Sequence, residues 1–173
     1  LMRSSAASDV YKRQVHHGGD PMTWELRRVG FVKMDMFPPE IVGKGRPRFT
    51  RSGRTYTPRK TRKAEIAVRD EFRKVCGERW AKFGGPVKVS ICYSRQLAKS
   101  NPKFWAFRQD LGKPDLDNVA KLVLDSLNGL AYADDSQVIG ICMAKGERRP
   151  SGTGNLLHVE VAYYNEIYRK EEE

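Results

Sequence analysis

Hydrophobic and polar residues alternate in four segments of the chain, which is typical of strands with one buried face. The alternation predicts strands within residues 29–37, 84–94, 136–147 and 155–164. Pro38 and Pro39 end the first strand, because proline cannot continue a sheet ladder. The turn RRPSGTG at residues 148–154 separates the last two strands and predicts that they form a hairpin.

Two other segments repeat hydrophobic residues at steps of three and four, which predicts helices from residues 57–58 to about Trp80 and from about Asp117 to Asn128. Asn128 and Gly129 form a good C-terminal stop for the second helix. The residues expected on the buried faces are Ala64, Ala67, Val68, Phe72, Val75 and Cys76 in the first helix, and Leu116, Val119, Leu122, Val123, Leu127 and Leu130 in the second.

A chain of 173 residues is long enough for one domain with a real core. Residues 1–21 show neither the helical nor the strand pattern of hydrophobic residues, so we expect them to be a disordered or foreign leader. The native start is then expected at Met22 or later. The domain is expected to span residues 22–168, followed by a polar tail at 169–173. No segment is long and apolar enough to cross a membrane, and no apolar signal-peptide core is present, so we expect a cytoplasmic protein.

The chain has 32 lysines and arginines against 21 acidic residues, a net charge of +11. Such a charge favours polyanions, so nucleic acid is the expected partner, and a generally basic protein without that function is the alternative. Among the three histidines only His158 lies in the body of the domain, which leaves little for histidine chemistry. The cysteines, Cys76, Cys92 and Cys142, are widely spaced and are expected to be reduced core residues.

Basic residues concentrate in the loop GKGRPRFTRSGRTYTPRK at residues 43–60, where glycines and prolines oppose regular structure. Arginines interleaved with Phe49 and Tyr56 suit phosphates and unstacked bases, and a solvated charged loop is the alternative. The expected DNA contacts are Lys44, Arg46, Arg48, Arg51, Arg54 and Lys113. A second basic loop follows residue 94 and carries Phe104, Trp105 and Phe107, which suit base stacking or a hydrophobic anchor.

Acidic residues concentrate in GKPDLDNVAKLVLDSLNGLAYADDSQ at residues 112–137. Asp117, Lys121 and Asp125 share one helix face, and Asp115 lies just before the helix start. Clustered carboxylates repel each other unless a cation lies among them, and Mg2+ prefers such oxygen ligands. Lys121 on the same face suits a phosphate oxygen, so the cluster predicts metal-assisted phosphodiester hydrolysis.

Each acidic residue also has a structural interpretation. Asp117 is suited to cap the helix, and Lys121 to form a surface ion pair with Asp117 or Asp125. Asp125 is expected to be such a partner or to support the metal ligands, and Asp134 suits a turn. These interpretations account poorly for the joint occurrence of the residues in a chain of charge +11.

The motif KPDLDNVAKLVLDSLNGLAYADDSQV, together with GKGRPRFTRSGRTYTP, resembles the RusA-type Holliday-junction resolvases of phages and prophages over roughly residues 30–165. The resemblance implies an α/β (α+β) fold, a single domain with a mixed sheet packed with two main helices. It also implies catalytic residues Asp115, Asp117, Lys121 and Asp135, of which the three aspartates bind Mg2+, with Mn2+ as the alternative. Asn118, Asp125 and Asp134 are expected to support them.

The function expected from this resemblance is resolution of four-way DNA junctions by paired symmetric nicks in recombination and repair. The enzyme would be a homodimer in the cytoplasm of a bacterial or phage-infected cell, because paired cuts suit a twofold substrate. Two alternatives stay open: a metal nuclease acting on other branched DNA, such as flaps and forks, and a non-catalytic protein that binds nucleic acid.

Overall fold

The fold is a mixed sheet with two helices packed on one face, seen in a computed structural model that describes residues 12–15 and 22–170. The two helices are α1 (Arg59–Cys76) and α2 (Leu116–Leu127), and short 3-10 helices lie at Lys103–Trp105 and Asp135–Gln137. The strands are β1 (Lys12–Val15), β2 (Met22–Met36), β3 (Arg48–Phe49), β4 (Thr55–Tyr56), β5 (Val87–Ser94), β6 (Val138–Lys145) and β7 (Leu156–Lys170). None of the helices in these ranges is long and apolar enough to cross a membrane.

The main sheet has the strand order β1-β2-β7-β5-β6, and β3 and β4 form a separate two-stranded hairpin. Strand β7 is antiparallel to both β2 and β5, whereas β6 runs parallel to β5. The predicted hairpin between the last two strands is therefore wrong, because β5 lies between β6 and β7. The segment from β5 through α2 to β6 is instead a crossover connection, as a parallel pair requires.

The core lies between the helices and one face of the sheet. Alternate residues of β5, from Val87 to Tyr93, point into it, and α1 and α2 cover it from the other side. The expected helix faces are confirmed at the positions that are buried: Val68, Phe72, Val119, Leu122, Val123, Leu127 and Leu130. Three other expected positions, Ala67, Val75 and Leu116, are exposed, because the packed face of α1 is narrow and Leu116 begins α2.

The ends of the sheet differ from the predicted segments. Strand β2 begins at Met22 and pairs with β7 as far as Lys170, so the first two residues of the expected polar tail, Arg169 and Lys170, continue the sheet, while 171–173 lie outside the described residues. Strand β1 lies within the expected leader and pairs with β2, while residues 1–11 and 16–21 fall outside the described part of the chain. All three cysteines are free, but of the three only Cys76 packs against the core. Cys92 is partly exposed on the other face of β5, and Cys142 is exposed on the edge strand β6.

Candidate active site at the two ends of helix α2

Asp115 and Asp117 lie at the N-terminal end of α2 with exposed side chains. Asp115 is the N-cap residue, in an extended conformation with φ −76° and ψ 154°, and its side chain makes no capping hydrogen bond. Asp117 lies in the first turn, so it does not cap the helix. The partial positive charge of a helix N-terminus stabilises carboxylates at both positions. Asn118 Nδ2 lies 3.5 Å from Asp117 Oδ1, consistent with a supporting role.

The approach to α2 is fixed at the carboxyl ends of the parallel strands. Tyr93 at the end of β5 donates a hydrogen bond to Pro114 O at 2.6 Å, and Lys145 at the end of β6 donates one to Gly112 O at 2.6 Å. Burial, with the negative charge of Asp110, raises the pKa of Tyr93 to about 12. The hydroxyl therefore remains a donor throughout the physiological range, and it positions the backbone directly before Asp115.

Beneath this approach, Asp110 is a buried carboxylate held between two arginines. Arg95 Nε and Nη2 donate to its two oxygens at 2.6 and 2.7 Å, and Arg148 Nη2 lies 2.9 Å from Oδ1. Gly112 N also donates to Oδ1 at 3.0 Å. Burial alone would raise the pKa of Asp110, but the hydrogen bonds from Arg95 and Gly112 outweigh it and lower that pKa. The carboxylate is thus ionised and anchors both guanidiniums.

Lys121 projects from the middle of α2 into solvent. Among the described residues, no ion pair joins it to Asp117 or Asp125, so the surface pair that its spacing suggested is not formed. Asp125 pairs with Lys44 at 2.6 Å, and Lys44 also contacts Glu65 at 2.6 Å. Lys121 is therefore free to meet an incoming phosphate.

Lys44, one of the residues expected to contact DNA, is occupied by those two carboxylates. Burial lowers its pKa, but the hydrogen bonds to Asp125 and Glu65 outweigh that effect and raise the pKa above its ordinary value. Its backbone N donates to Asn118 O at 2.7 Å. Lys44 thus fastens the basic loop to α2, a role that sequence reasoning missed.

Asp134 and Asp135 lie beyond the C-terminal end of α2. Asp134 caps the 3-10 helix Asp135–Gln137, accepting from Ser136 N at 2.9 Å while Gln137 Oε1 accepts from Asp134 N at 2.9 Å. The hydrogen bonds from Ser136 lower the pKa of Asp134. Asp134 is thus a turn residue, as its structural interpretation predicts, and Asp135 is exposed beside it.

The carboxylates expected to share one metal are divided between the two ends of α2. Asp115 and Asp117 lie near the carboxyl end of β5, where Tyr93 bonds to Pro114 O. Gln137, two residues after Asp135, instead donates to Phe83 O and Gly85 O, just before the start of β5. Helix α2, which separates Asp115 from the segment that contains Asp135, has 12 residues and is about 18 Å long. Accordingly, the described part of the chain contains no group of three or more His, Cys, Asp or Glu side chains placed to hold a metal ion.

Mg2+ nevertheless suits the donors at the N-terminal end of α2. The ion is usually bound by one or two carboxylates, with water and substrate phosphates completing its coordination. Asp115 and Asp117 supply two exposed carboxylates two residues apart, so they fit an ion held in that way. Asp135 of the same chain lies beyond the other end of α2, and it forms no such group with them in the described residues.

Basic residues surround the N-terminal end of α2. An open cleft of about 720 Å³ is lined by Asp115 and Asn118 on one side and by Arg46, Arg95, Lys113 and Arg148 around it. Arg48, Arg51 and Arg54 lie exposed on the β3–β4 hairpin, where Phe49 is 73% exposed. Sequence reasoning missed Arg95 and Arg148, because only the fold brings them from different loops to Asp115.

Comparison with known proteins relates most of the chain to one family. The sequence model of the family described as Endodeoxyribonuclease RusA matches residues 38–162, which include the basic loop, α2 and the 3-10 helix after it. The Uncharacterized protein YqaN of Bacillus subtilis (strain 168) is 39% identical over 69 residues. That match covers 35% of this chain and 49% of YqaN, so the chain spans about half the length of this relative.

Proposed function

Because the chain belongs to the RusA family of endodeoxyribonucleases, we propose that it is a metal-dependent endonuclease that resolves four-way DNA junctions. The observation that carries this proposal is the pair of exposed carboxylates at the N-terminal end of α2, of which Asp115 lines a basic cleft, with the unpaired Lys121 one turn farther along the helix. A surface of net charge +11 would hold the polyanion while the local acidic site holds the metal. We further propose a role in DNA recombination and repair in the cytoplasm of a bacterial or phage-infected cell.

Each residue of the site has a proposed role. Asp115 and Asp117 would hold Mg2+, or Mn2+ in its place, which when bound activates water and stabilises the charge that develops on the phosphate. Lys121 would contact a non-bridging phosphate oxygen, since its ammonium group has no carboxylate partner in the described structure. Asn118 would hold the Asp117 carboxylate in position.

The proposed homodimer gives Asp135 a place in the site. Asp135 cannot reach Asp115 in its own chain, because about 18 Å of helix separates them. A twofold axis near the middle of α2 would run two copies of the helix in opposite directions. Asp135 of the partner subunit would then approach Asp115 and Asp117, and each dimer would have two sites for two symmetric nicks.

The basic hairpin is proposed to hold the DNA arms outside the cleft. Arg48 lies on β3, and Arg51 and Arg54 lie in the turn before β4, all exposed. The turn is fixed by Thr50, whose Oγ1 accepts from Arg54 N at 3.1 Å. Arginines on such a small ordered hairpin suit contacts with several backbone phosphates, which position DNA without reading its sequence.

Replacing Lys121 by Ala tests the proposed chemistry. Junction binding is expected to stay within about twofold, while the cleavage rate falls about 100-fold or more, because a group that acts on transition-state charge is lost. Lys74→Ala is the matched control, since Lys74 is an exposed helical lysine on α1 that pairs with Glu71. Cleavage of an end-labelled junction at saturating protein measures both variants. A fully active K121A would refute the assignment of Lys121.

A further inference from the structure

The wall of the cleft beside Asp115 contains two arginines that the proposed chemistry does not use. Arg95 follows β5 and Arg148 follows β6, so the carboxyl ends of the two parallel strands bring them together. Both line the same cleft as Asp115 and Lys113. The Arg95 and Arg148 side chains are 20% and 24% exposed, so part of each guanidinium remains open to solvent.

Asp110 holds the two guanidiniums without using up their hydrogen-bonding capacity. An arginine has five N–H donors. The contacts with Asp110 involve two nitrogens of Arg95 and one of Arg148. Because the Asp110 side chain is fully buried and Gly112 N also bonds to it, the pair is rigidly placed before any ligand arrives.

The charge around this pair favours an anion. Asp110 offsets one of the two positive charges and Asp115 on the cleft wall offsets the other, while Arg46 and Lys113 add two more. Glu40, an acidic residue on the same wall, already pairs with Lys60 at 3.1 Å. The backbone also comes close to the pair: a Cβ at Gly112 would lie only 2.5 Å from Arg95 Nη2 and 3.2 Å from Arg148 Nη2. The cleft thus presents fixed guanidinium donors and excess positive charge.

We propose that Arg95 and Arg148 form a binding site for a DNA backbone phosphate next to the one that is cut. The inference rests on the proposed function for its ligand, since DNA is the polyanion that the site is expected to meet. Planar guanidiniums fixed in advance match phosphate geometry and lose little conformational entropy on binding. A phosphate held there keeps the neighbouring phosphate in the cleft, beside Asp115.

The test is junction binding by Arg148→Gln in EDTA, so that the result does not depend on cleavage. We expect about 10-fold weaker binding at 0.1 M salt, and a plot of log K against log salt whose slope is smaller in magnitude by about 1. Arg73→Gln on α1 is the control, because Arg73 is a partly exposed arginine paired with Asp70. R148Q is expected to fold, since Arg95 and Gly112 still hold Asp110.

A second measurement uses the wild-type protein and so does not depend on a folded variant. Junction DNA should protect Arg95 and Arg148, but not Arg73, from an arginine-specific dicarbonyl reagent, as read by mass spectrometry. An unchanged affinity and salt slope in R148Q, or equal modification with and without DNA, would mean that the arginines only neutralise Asp110. If the wild-type protein does not cut the junction, the proposed function is contradicted. The R148Q affinity and the arginine protection would still test the phosphate site, because neither depends on cleavage.

Discussion

Single hydrogen bonds to the backbone hold the segment before Asp115 in place. Tyr93 is fully buried, yet its hydroxyl reaches Pro114 O, one residue before Asp115. Tyr163 is also fully buried, but its hydroxyl has no hydrogen-bond partner within the described residues, and its ring stacks on Trp80 at 3.8 Å. The two tyrosines contribute similar hydrophobic area and differ in whether the hydroxyl supports the site.

This difference predicts a loss of stability for the Tyr93→Phe variant and almost no change for Tyr163→Phe. Tyr93→Phe leaves Pro114 O without its donor and is expected to lower the free energy of unfolding by about 1 kcal/mol, and to slow cleavage because Asp115 is less well positioned. Tyr163→Phe removes a hydroxyl that bonds to nothing described, so it should change stability by less than about 0.5 kcal/mol. Denaturant unfolding measures both. Equal stability of Y93F and the wild type would contradict this role of Tyr93.

Individual site residues were predictable to different degrees. Asp117 and Lys121 could be placed from helical spacing, because that spacing fixes which residues share a face, and Asp115 from its position directly before the helix start. The roles of Lys44, Arg95, Asp110 and Arg148 could not, since their partners are 15 or more positions away in sequence. Partners so distant come together only through the fold.

At the level of elements, the helices and most strands follow their periodic patterns. Helix α2 begins and ends within one residue of the expected bounds. The pairing of β6 was wrong because alternation shows that a segment is a strand without showing which neighbour it joins, and a Gly-rich turn suggested a hairpin. The parallel pairing of β5 with β6 matters for function, because it places the loop before α2 at the carboxyl ends of both strands.

At the level of the whole molecule, the division of the acidic residues between the ends of α2 predicts a site shared by two subunits. When Asp117→Asn and Asp135→Asn chains are co-expressed, half of the dimers are mixed, and each mixed dimer has one intact site and one with both substitutions. About one quarter of the sites should therefore be active, giving nicks in one strand only. Either variant alone should be inactive.

The matched control for this mixing is Asp117→Asn co-expressed with Lys121→Ala. Asp117 and Lys121 are one turn apart on the same helix face, so both residues of one chain are expected to serve the same site. Neither site of a mixed dimer is then intact, and activity should not recover. If the Asp117 and Asp135 variants together are as inactive as each alone while the wild type cuts, the shared site is wrong. Activity retained by D135N alone would remove Asp135 from the site.

Cleavage of an end-labelled four-way junction tests most directly whether the N-terminal end of α2 is the active site of a metal-dependent junction nuclease. The wild type and Asp117→Asn are compared on this junction and on a linear duplex of the same sequence, each with Mg2+ or with EDTA. We expect symmetric paired nicks in the junction alone, by the wild type alone, and only with the metal. If both proteins bind the junction and neither cuts it, or if D117N cuts as fast as the wild type, the end of α2 is not the active site of a junction nuclease.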